Sequence, residues 1–311
     1  MDWSESAVLN ACHNSSVQIA GPLLLALSLA QSSTFRSDPP HKCDSCDEWN
    51  KPREPFRIFG NSYFVGTDGL SAILIVGDAG LVLLDGGLEQ SAAAIDANIR
   101  KLGFRTEDIK LIVNSHGHYD HAGGIAALQR ASGATVAASP SGASALERGE
   151  NTPDDPQFGF GRAENGFPRV PNVKVITDSE VLRVGNIAIT ANFTPGHTPG
   201  STTWTWRSCQ GADCLNMVYA DSISAVSAPG FTFTAKAETI NLFRRSITRL
   251  SELPCDIVVS THPSATHLDA KLKRRAELKG ASPDPFVDQG CKALAATAMK
   301  GLEARIAEEK K

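Results

Sequence analysis

Residues 110–124, Lys110-Leu-Ile-Val-Asn-Ser-His116-Gly-His118-Tyr-Asp120-His121-Ala-Gly-Gly124, constrain the fold of this chain more than any other stretch. The apolar, β-branched run at 110–113 reads as a buried strand, and it delivers three histidines and one aspartate into the loop at its end. Imidazole and carboxylate at this density form a borderline ligand set suited to Zn2+. Alternation at 116 and 118 lets two side chains point at one ion. The adjacent pair 120 and 121 can turn towards a second. Four ligands on one loop do not complete two sites, so further donors must come from elsewhere in the chain. Thr194-Pro-Gly-His197-Thr-Pro-Gly and Ser260-Thr-His262-Pro supply two more histidines, each after an apolar strand and flanked by Pro or Gly that permit a tight turn. Five of the eight histidines then fall at strand-end loops, which favours one shared site. His13, His41 and His267 have no such setting and read as incidental.

The rest of the chain supplies the scaffold. Apolar runs at 63–65, 70–76 and 81–84, separated by Gly-Thr-Asp-Gly and Gly-Asp-Ala-Gly turns, read as a strand meander. An amphipathic helix over 89–102 carries Ile95, Ile99 and Leu102 on one stripe and is stopped by Gly103. A short helix over 122–131 follows the histidine loop. The pattern then recurs, with strands at 173–176, 187–193, 202–206 and 217–220, a helix over 238–250 ending at Pro254, and a buried strand at 257–260. The last helix, 288–308, places Leu294, Ala298, Leu302 and Ile306 on one face. Strands then helices, twice over, predict an α/β chain with two packed sheets and helices outside. Residues 149–171 join the halves without periodicity and are long enough to form a functional flap.

Composition narrows the setting. An apolar fraction of 41% and a charged fraction of 21% describe an ordinary globular chain long enough for a sizeable core. A net charge of −4 without a dense Lys/Arg run leaves a nucleic-acid partner no electrostatic footprint. The apolar run at 19–30 is too short to span a bilayer. It ends in Ser28-Leu29-Ala30, small residues at the spacing of a secretory cleavage site, although Asp2 and Glu5 stand where a basic segment is usual. Residues 1–30 therefore read as a signal peptide, 31–55 as a polar, Pro-rich leader lying over the surface, and 56–311 as the folded domain. Of seven cysteines, only Cys12 precedes the cleavage point, and the remaining six can pair evenly in an oxidising compartment. Cys43-Asp-Ser-Cys46, with no second such motif, is read as a local disulfide or as two free thiols.

Taken with the upstream Leu-Leu-Asp85-Gly-Gly turn and the later His197 and His262, the His-X-His-X-Asp-His loop resembles the metallo-β-lactamase superfamily over residues 56–311. The resemblance implies an αββα sandwich with metal at one edge, and makes Asp85 similar to an aspartate that stands behind the metal ligands. Pro195-Gly-His197-Thr-Pro-Gly-Ser-Thr-Thr-Trp-Thr-Trp206, Tyr219-Ala-Asp-Ser222-Ile-Ser224, Thr261-His262-Pro-Ser, Gly60-Asn-Ser-Tyr-Phe-Val-Gly66 and Asp155-Pro-Gln157-Phe resemble the third, di-zinc subclass of true β-lactamases. That likeness implies disulfides Cys255–Cys291 and Cys209–Cys214. The other subclasses carry a cysteine ligand after the 217–220 strand, where this chain has Ser222.

By the same resemblance, His116, His118 and His197 hold one zinc and Asp120, His121 and His262 the other. A hydroxide between the two ions is expected to attack the lactam carbonyl of penicillins, cephalosporins or carbapenems, with Asp120 orienting it. Ser222, Ser224 and Gln157 are expected at the substrate. Asp221 could be read as a metal-bridging aspartate, as in many relatives that are not lactamases; its Tyr-Ala-Asp-Ser context resembles the lactamases, where it is not a ligand. The expectation is a periplasmic monomer acting on a small molecule, with no nucleic-acid or membrane partner. A glyoxalase-type thioesterase or a lactonase on the same fold is the alternative.

Overall fold

The computed structural model describes residues 35–280 and 282–311. The expected signal segment, with Cys12 and His13, lies outside them. One sheet has seven strands, β1 (Phe56–Phe59), β2 (Ser62–Phe64), β3 (Ile73–Gly77), β4 (Gly80–Leu84), β5 (Ile109–Val113), β6 (Thr135–Ala138) and β7 (Lys174–Val175), in that spatial order. The other runs β12-β11-β10-β9-β8, from β8 (Val181–Val184), β9 (Ile187–Phe193), β10 (Thr202–Gln210), β11 (Asp213–Ala220) and β12 (Ile257–Ser260). This is the expected two-sheet sandwich with helices outside.

Strand periodicity builds the layers. On β4, Val82 and Leu84 point between the sheets, where Phe64, Ile73 and Val113 meet Ile189, Trp204, Met217 and Tyr219. Leu81 and Leu83 point the other way, onto helices Ser91–Lys101 and Ile125–Ser132 through Ile95, Ile99 and Leu128. Both faces of β4 and β5 are thus covered, which is why these strands read as continuous apolar runs. On the far side, Val218 and Val258 pack against Phe243, Ile247 and Leu250 of helix Ala237–Glu252 and Leu294, Leu302 and Ile306 of helix Cys291–Glu309.

The layers put all the strand-end loops at one edge. β4, β5 and β6 are mutually parallel, and so are β11 and β12, with β9 antiparallel to β10 and β10 to β11. Loops that follow β4, β5, β9, β11 and β12 therefore leave at the carboxyl ends of their sheets, the usual place for a ligand in parallel α/β architecture. Two buried tryptophans tie the sheets together there: Trp204 Nε1 donates to the Asn114 carbonyl (3.1 Å) and Trp206 Nε1 to Ser62 Oγ (2.9 Å).

Several elements differ from the sequence reading. β10 and β11 extend to Gln210 and Asp213 as a long hairpin whose last opposed pairs include Cys209 and Cys214. β1, β6 and β8 and helices Pro140–Arg148 and Leu268–Leu278 lie where no element was expected. Residues 35–55 belong to the same compact unit as the rest of the described chain. No helix among the described residues is long and apolar enough to cross a membrane.

The expected disulfides Cys255–Cys291 and Cys209–Cys214 are formed, and Cys43–Cys46 forms a third. Cys255–Cys291 spans a sequence separation of 36 and staples the last helix to the core. In the chain-entropy picture a loop of that length is worth about 3–4 kcal/mol. A Cys255→Ser/Cys291→Ser double variant should lose about that much in urea unfolding, and Cys209→Ser/Cys214→Ser less, because its loop is short. Equal losses from the two variants would refute the loop-length account.

Candidate metal centre

The site begins at Asp85, the first residue after β4. It is fully buried in the left-handed region at φ 60°, a conformation Asp tolerates better than most residues. Its carboxylate accepts from Asn114 Nδ2 (3.0 Å), Ser115 N (2.7 Å), Ser115 Oγ (2.6 Å) and Tyr219 OH (2.8 Å), so it locks the exit of β5 against β11. Burial pushes this carboxyl up to about 6 even with those donors. The Gly86-Gly87 turn that follows packs on the histidine loop: Gly86 N donates to the His121 carbonyl (2.9 Å) and Gly124 N to the Gly87 carbonyl (3.0 Å). A side chain on Gly124 would collide with the Gly86 carbonyl.

From this base the six expected ligands converge. His116, His118 and His197 offer nitrogens that lie within 4.8 Å of one another, and His116, Asp120 and His121 form a second such group. His262 adjoins the second group, its Nε2 3.3 Å from Asp120 Oδ2, which is itself 3.1 Å from His121 Nε2. The His121 and His262 rings stand 4.9 Å apart.

Each of four rings is held from behind by an acceptor. His116 Nδ1 donates to Asp221 Oδ1 (2.6 Å), His118 Nε2 to Asp155 (3.1 Å), His197 Nδ1 to the Ser224 carbonyl (2.9 Å) and His262 Nδ1 to the Gly69 carbonyl (3.3 Å). This fixes the tautomer, leaving the other nitrogen of each ring with a free lone pair, the arrangement that orients metal-binding imidazoles. His116 Nε2 and both ring nitrogens of His121 are buried without a hydrogen-bond partner. An orphaned buried polar atom ordinarily costs about 1–3 kcal/mol, and a cation that takes the lone pair of His116 Nε2 and that of one His121 nitrogen would relieve most of this misfit.

Electrostatics points the same way. Burial holds His116 well below the usual imidazole range and His197 down to about 3, so both are neutral, as ligands must be. Burial alone would raise Asp120, but the His121 and His262 imidazoles outweigh it and keep the carboxyl well below its ordinary value. Asp155 is likewise lowered, burial being outweighed by His118, whereas burial raises Asp221. Burial alone would lower the His121 imidazole, but Asp120 outweighs it and raises it, and the buried carboxylates gathered around these rings make a site that asks for positive charge. Borderline nitrogen donors with few oxygens suit Zn2+ better than Mg2+ or Ca2+.

The loop residues expected near substrate fall in different places. Ser222 is buried and its hydroxyl pairs with Thr261 Oγ1 (2.8 Å), next to His262. Ser224 is exposed, and its carbonyl is what His197 uses. Gln157 is half-buried and is engaged through its backbone, donating to Asp155 Oδ1 (2.7 Å) and accepting from Asn165 Nδ2 (2.9 Å). The segment 149–171 closes on the loop after β11, where Ala228 N donates to the Pro156 carbonyl (2.9 Å). Phe158 and Phe160 on the first loop and Val226 on the second remain exposed.

Two buried carboxylates without an expected role, Asp155 and Asp221, each accept from one of the expected ligand histidines. No local signal marks either, since the partners are 37 and 105 residues away. His41, read as incidental, is buried against Tyr119 with its ring stacked at 4.0 Å.

Comparison with known proteins agrees with this geometry. A family model described as the metallo-beta-lactamase superfamily matches residues 65–262. Among solved structures, the Rm3 metallo-beta-lactamase is 51% identical, with a TM-score of 0.82, over 87% of this chain and 100% of its own. MEM-A1, a subclass B3 metallo-beta-lactamase from a soil metagenome library, is 43% identical, with a TM-score of 0.80, over 84% of this chain and 98% of its own. A hydroxyacylglutathione hydrolase of Anaeromyxobacter dehalogenans (strain 2CP-C) is 32% identical over 143 residues, 46% of this chain, and the match spans only 44% of that relative.

Proposed function

Because the chain belongs to the metallo-beta-lactamase superfamily, we propose that it is a zinc-dependent hydrolase that opens the β-lactam ring of penicillins, cephalosporins and carbapenems. The observation that carries the reading is the convergence of buried imidazole nitrogens, with Asp120 among them, at the shared carboxyl edge of the two sheets. His116, His118 and His197 would hold one zinc ion and Asp120, His121 and His262 a second, three protein ligands each. Zinc bound there supplies Lewis acidity towards a carbonyl oxygen and makes water a nucleophile near neutral pH.

The chain's own side chains do the rest. Asp120, ionised, accepts a hydrogen bond from the attacking water at a carboxylate oxygen and so aims its lone pair at the carbonyl carbon. Asp221, Asp155 and the Ser224 carbonyl keep the three rings of the first group from turning. Phe158, Phe160 and Val226, exposed on the two loops that touch at Pro156 and Ala228, offer apolar walls to the substituents of the lactam. Ser224 and Gln157 stand on those same loops for the substrate carboxylate and amide, and Ser222 lies deeper, beside Thr261.

Asp221 favours a lactamase over a thioesterase. In support of that reading, Asp221 Oδ1 accepts from His116 Nδ1, on the side of the ring away from Nε2, while its Oδ2 is buried without a hydrogen-bond partner. Three disulfides fit an exported protein in the oxidising periplasm, where we propose that it acts as a monomer. Zinc-loaded protein should hydrolyse a chromogenic cephalosporin, a penicillin and a carbapenem. Efficient cleavage of S-lactoylglutathione or an acyl-homoserine lactone with all three lactams left intact would overturn the substrate reading.

A further inference from the structure

The two halves of the centre are braced from different parts of the chain. His116, His118 and His197 rest on Asp221, Asp155 and the Ser224 carbonyl, all on loops within the matched family region. The other half leans on residues 41–50, which precede that region. His41 stacks on Tyr119 with ring centroids 4.0 Å apart and planes within 15°. Tyr119 sits between His118 and Asp120 and opens the turn Tyr119–Ala122 that carries Asp120 and His121. At the other end, Trp49 lies 5.3 Å from the His262 ring and fills the space where a side chain on Gly69 would be. Gly69 N donates to the Trp49 carbonyl (3.1 Å), and the Gly69 carbonyl is the acceptor for His262 Nδ1.

Both contacts belong to one short, restrained segment. The Cys43–Cys46 disulfide closes it, and Cys46 is buried with Leu70 and Leu88 in a small core that Tyr119 and Trp49 border. The segment is fastened to the body on either side of that core. His41 exchanges two backbone hydrogen bonds with the Gln90 side chain (both 3.0 Å), and Asn50 Oδ1 accepts from Ser91 Oγ (2.7 Å). His41 Nδ1 also approaches Glu89 at 3.7 Å, with both side chains almost wholly buried.

We propose that residues 41–50, closed by the Cys43–Cys46 disulfide, are a positioning element for the Asp120–His121–His262 half of the centre, setting its metal affinity through Tyr119 and Gly69 without touching the metal. The inference rests on the two-zinc reading above. Loss of an outer support of this kind typically lowers metal affinity about 10–100-fold, and here the loss falls on one half alone.

The test is competition between a chromophoric chelator and the full chain for zinc, which resolves the first and second equivalents. His41→Ala and Cys43→Ser/Cys46→Ser are expected to weaken the second equivalent at least about tenfold and to leave the first unchanged. His41→Phe, which retains a flat ring against Tyr119, should restore most of the loss. Circular dichroism of the zinc-free proteins reports whether each variant folds, and because His41→Ala and Cys43→Ser/Cys46→Ser perturb the segment independently, either one that folds carries the test. Equal weakening of both equivalents, or no change in either, overturns the proposal while leaving the two-zinc reading in place. A wild-type chain that takes up a single equivalent overturns both, and failure to hydrolyse lactams with selective loss of the second equivalent overturns only the substrate reading.

Discussion

Asp120→Asn should lower kcat for a chromogenic cephalosporin by about 10²-fold or more, the scale seen when one electrostatic stabiliser is removed from a reacting centre. Asp120 is buried, and its Oδ2 lies 3.1 and 3.3 Å from the Nε2 atoms of His121 and His262. Those imidazoles hold it ionised against the effect of burial. Asparagine preserves the shape but removes the charge and turns one acceptor into a donor, which can neither share a cation with the imidazoles nor accept from the attacking water. Ser222→Ala should cost far less, because that hydroxyl is engaged with Thr261 (2.8 Å) and a water can replace it. Steady-state kinetics at matched zinc content, checked by elemental analysis, separates lost metal from lost chemistry. An Asp120→Asn enzyme within a few-fold of wild type at full zinc occupancy would remove Asp120 from the mechanism.

His116→Ala should be the more damaging of the two. His116 holds the first group and also lies within 4.8 Å of the Asp120 and His121 donor atoms, and its ring lies 4.5 to 4.9 Å from those of His118, His121 and His197. Its loss removes a donor and also leaves Oδ1 of the buried Asp221 carboxylate without the Nδ1–H it accepts. The expected drop in zinc affinity exceeds the roughly 10²-fold upper range for outer supports, with hydrolysis falling accordingly. A chelator should abolish hydrolysis by the wild type and added zinc should restore it, whereas added zinc should not restore the variant. Inhibitors that act by acylating a serine should leave the wild-type rate unchanged. Hydrolysis that survives exhaustive chelation would overturn the metal reading.

Much of this was legible without coordinates, for identifiable reasons. A buried strand ending in His-X-His-X-Asp-His is a local pattern, and so are the apolar stripes of helices Ser91–Lys101 and Ala237–Glu252, since both depend on neighbours in sequence. Helix Leu268–Leu278 went unread because only Leu268 and Lys271 are buried on it, too thin a stripe to register as periodic. Helix Pro140–Arg148 carried its signals, a Ser139 cap accepting from Gly142 N, Pro140 in the first turn and a left-handed Gly149 at the end, but its alanines and glycine show little apolar contrast.

The layered α/β sandwich and the histidines and aspartate gathered at its strand ends are legible in the chain alone, because strand alternation and ligand chemistry are properties of short windows. How those side chains are held follows from packing between distant segments. The Asp221–His116 pair joins residues 105 apart, Asp155–His118 joins residues 37 apart, and the His41–Tyr119 stack brings an early segment under the second half of the site. Such contacts follow from how loops meet at the sheet edge. A loop has no period, and one carboxylate in a turn looks like any other until burial takes its water away and leaves a particular imidazole as its partner.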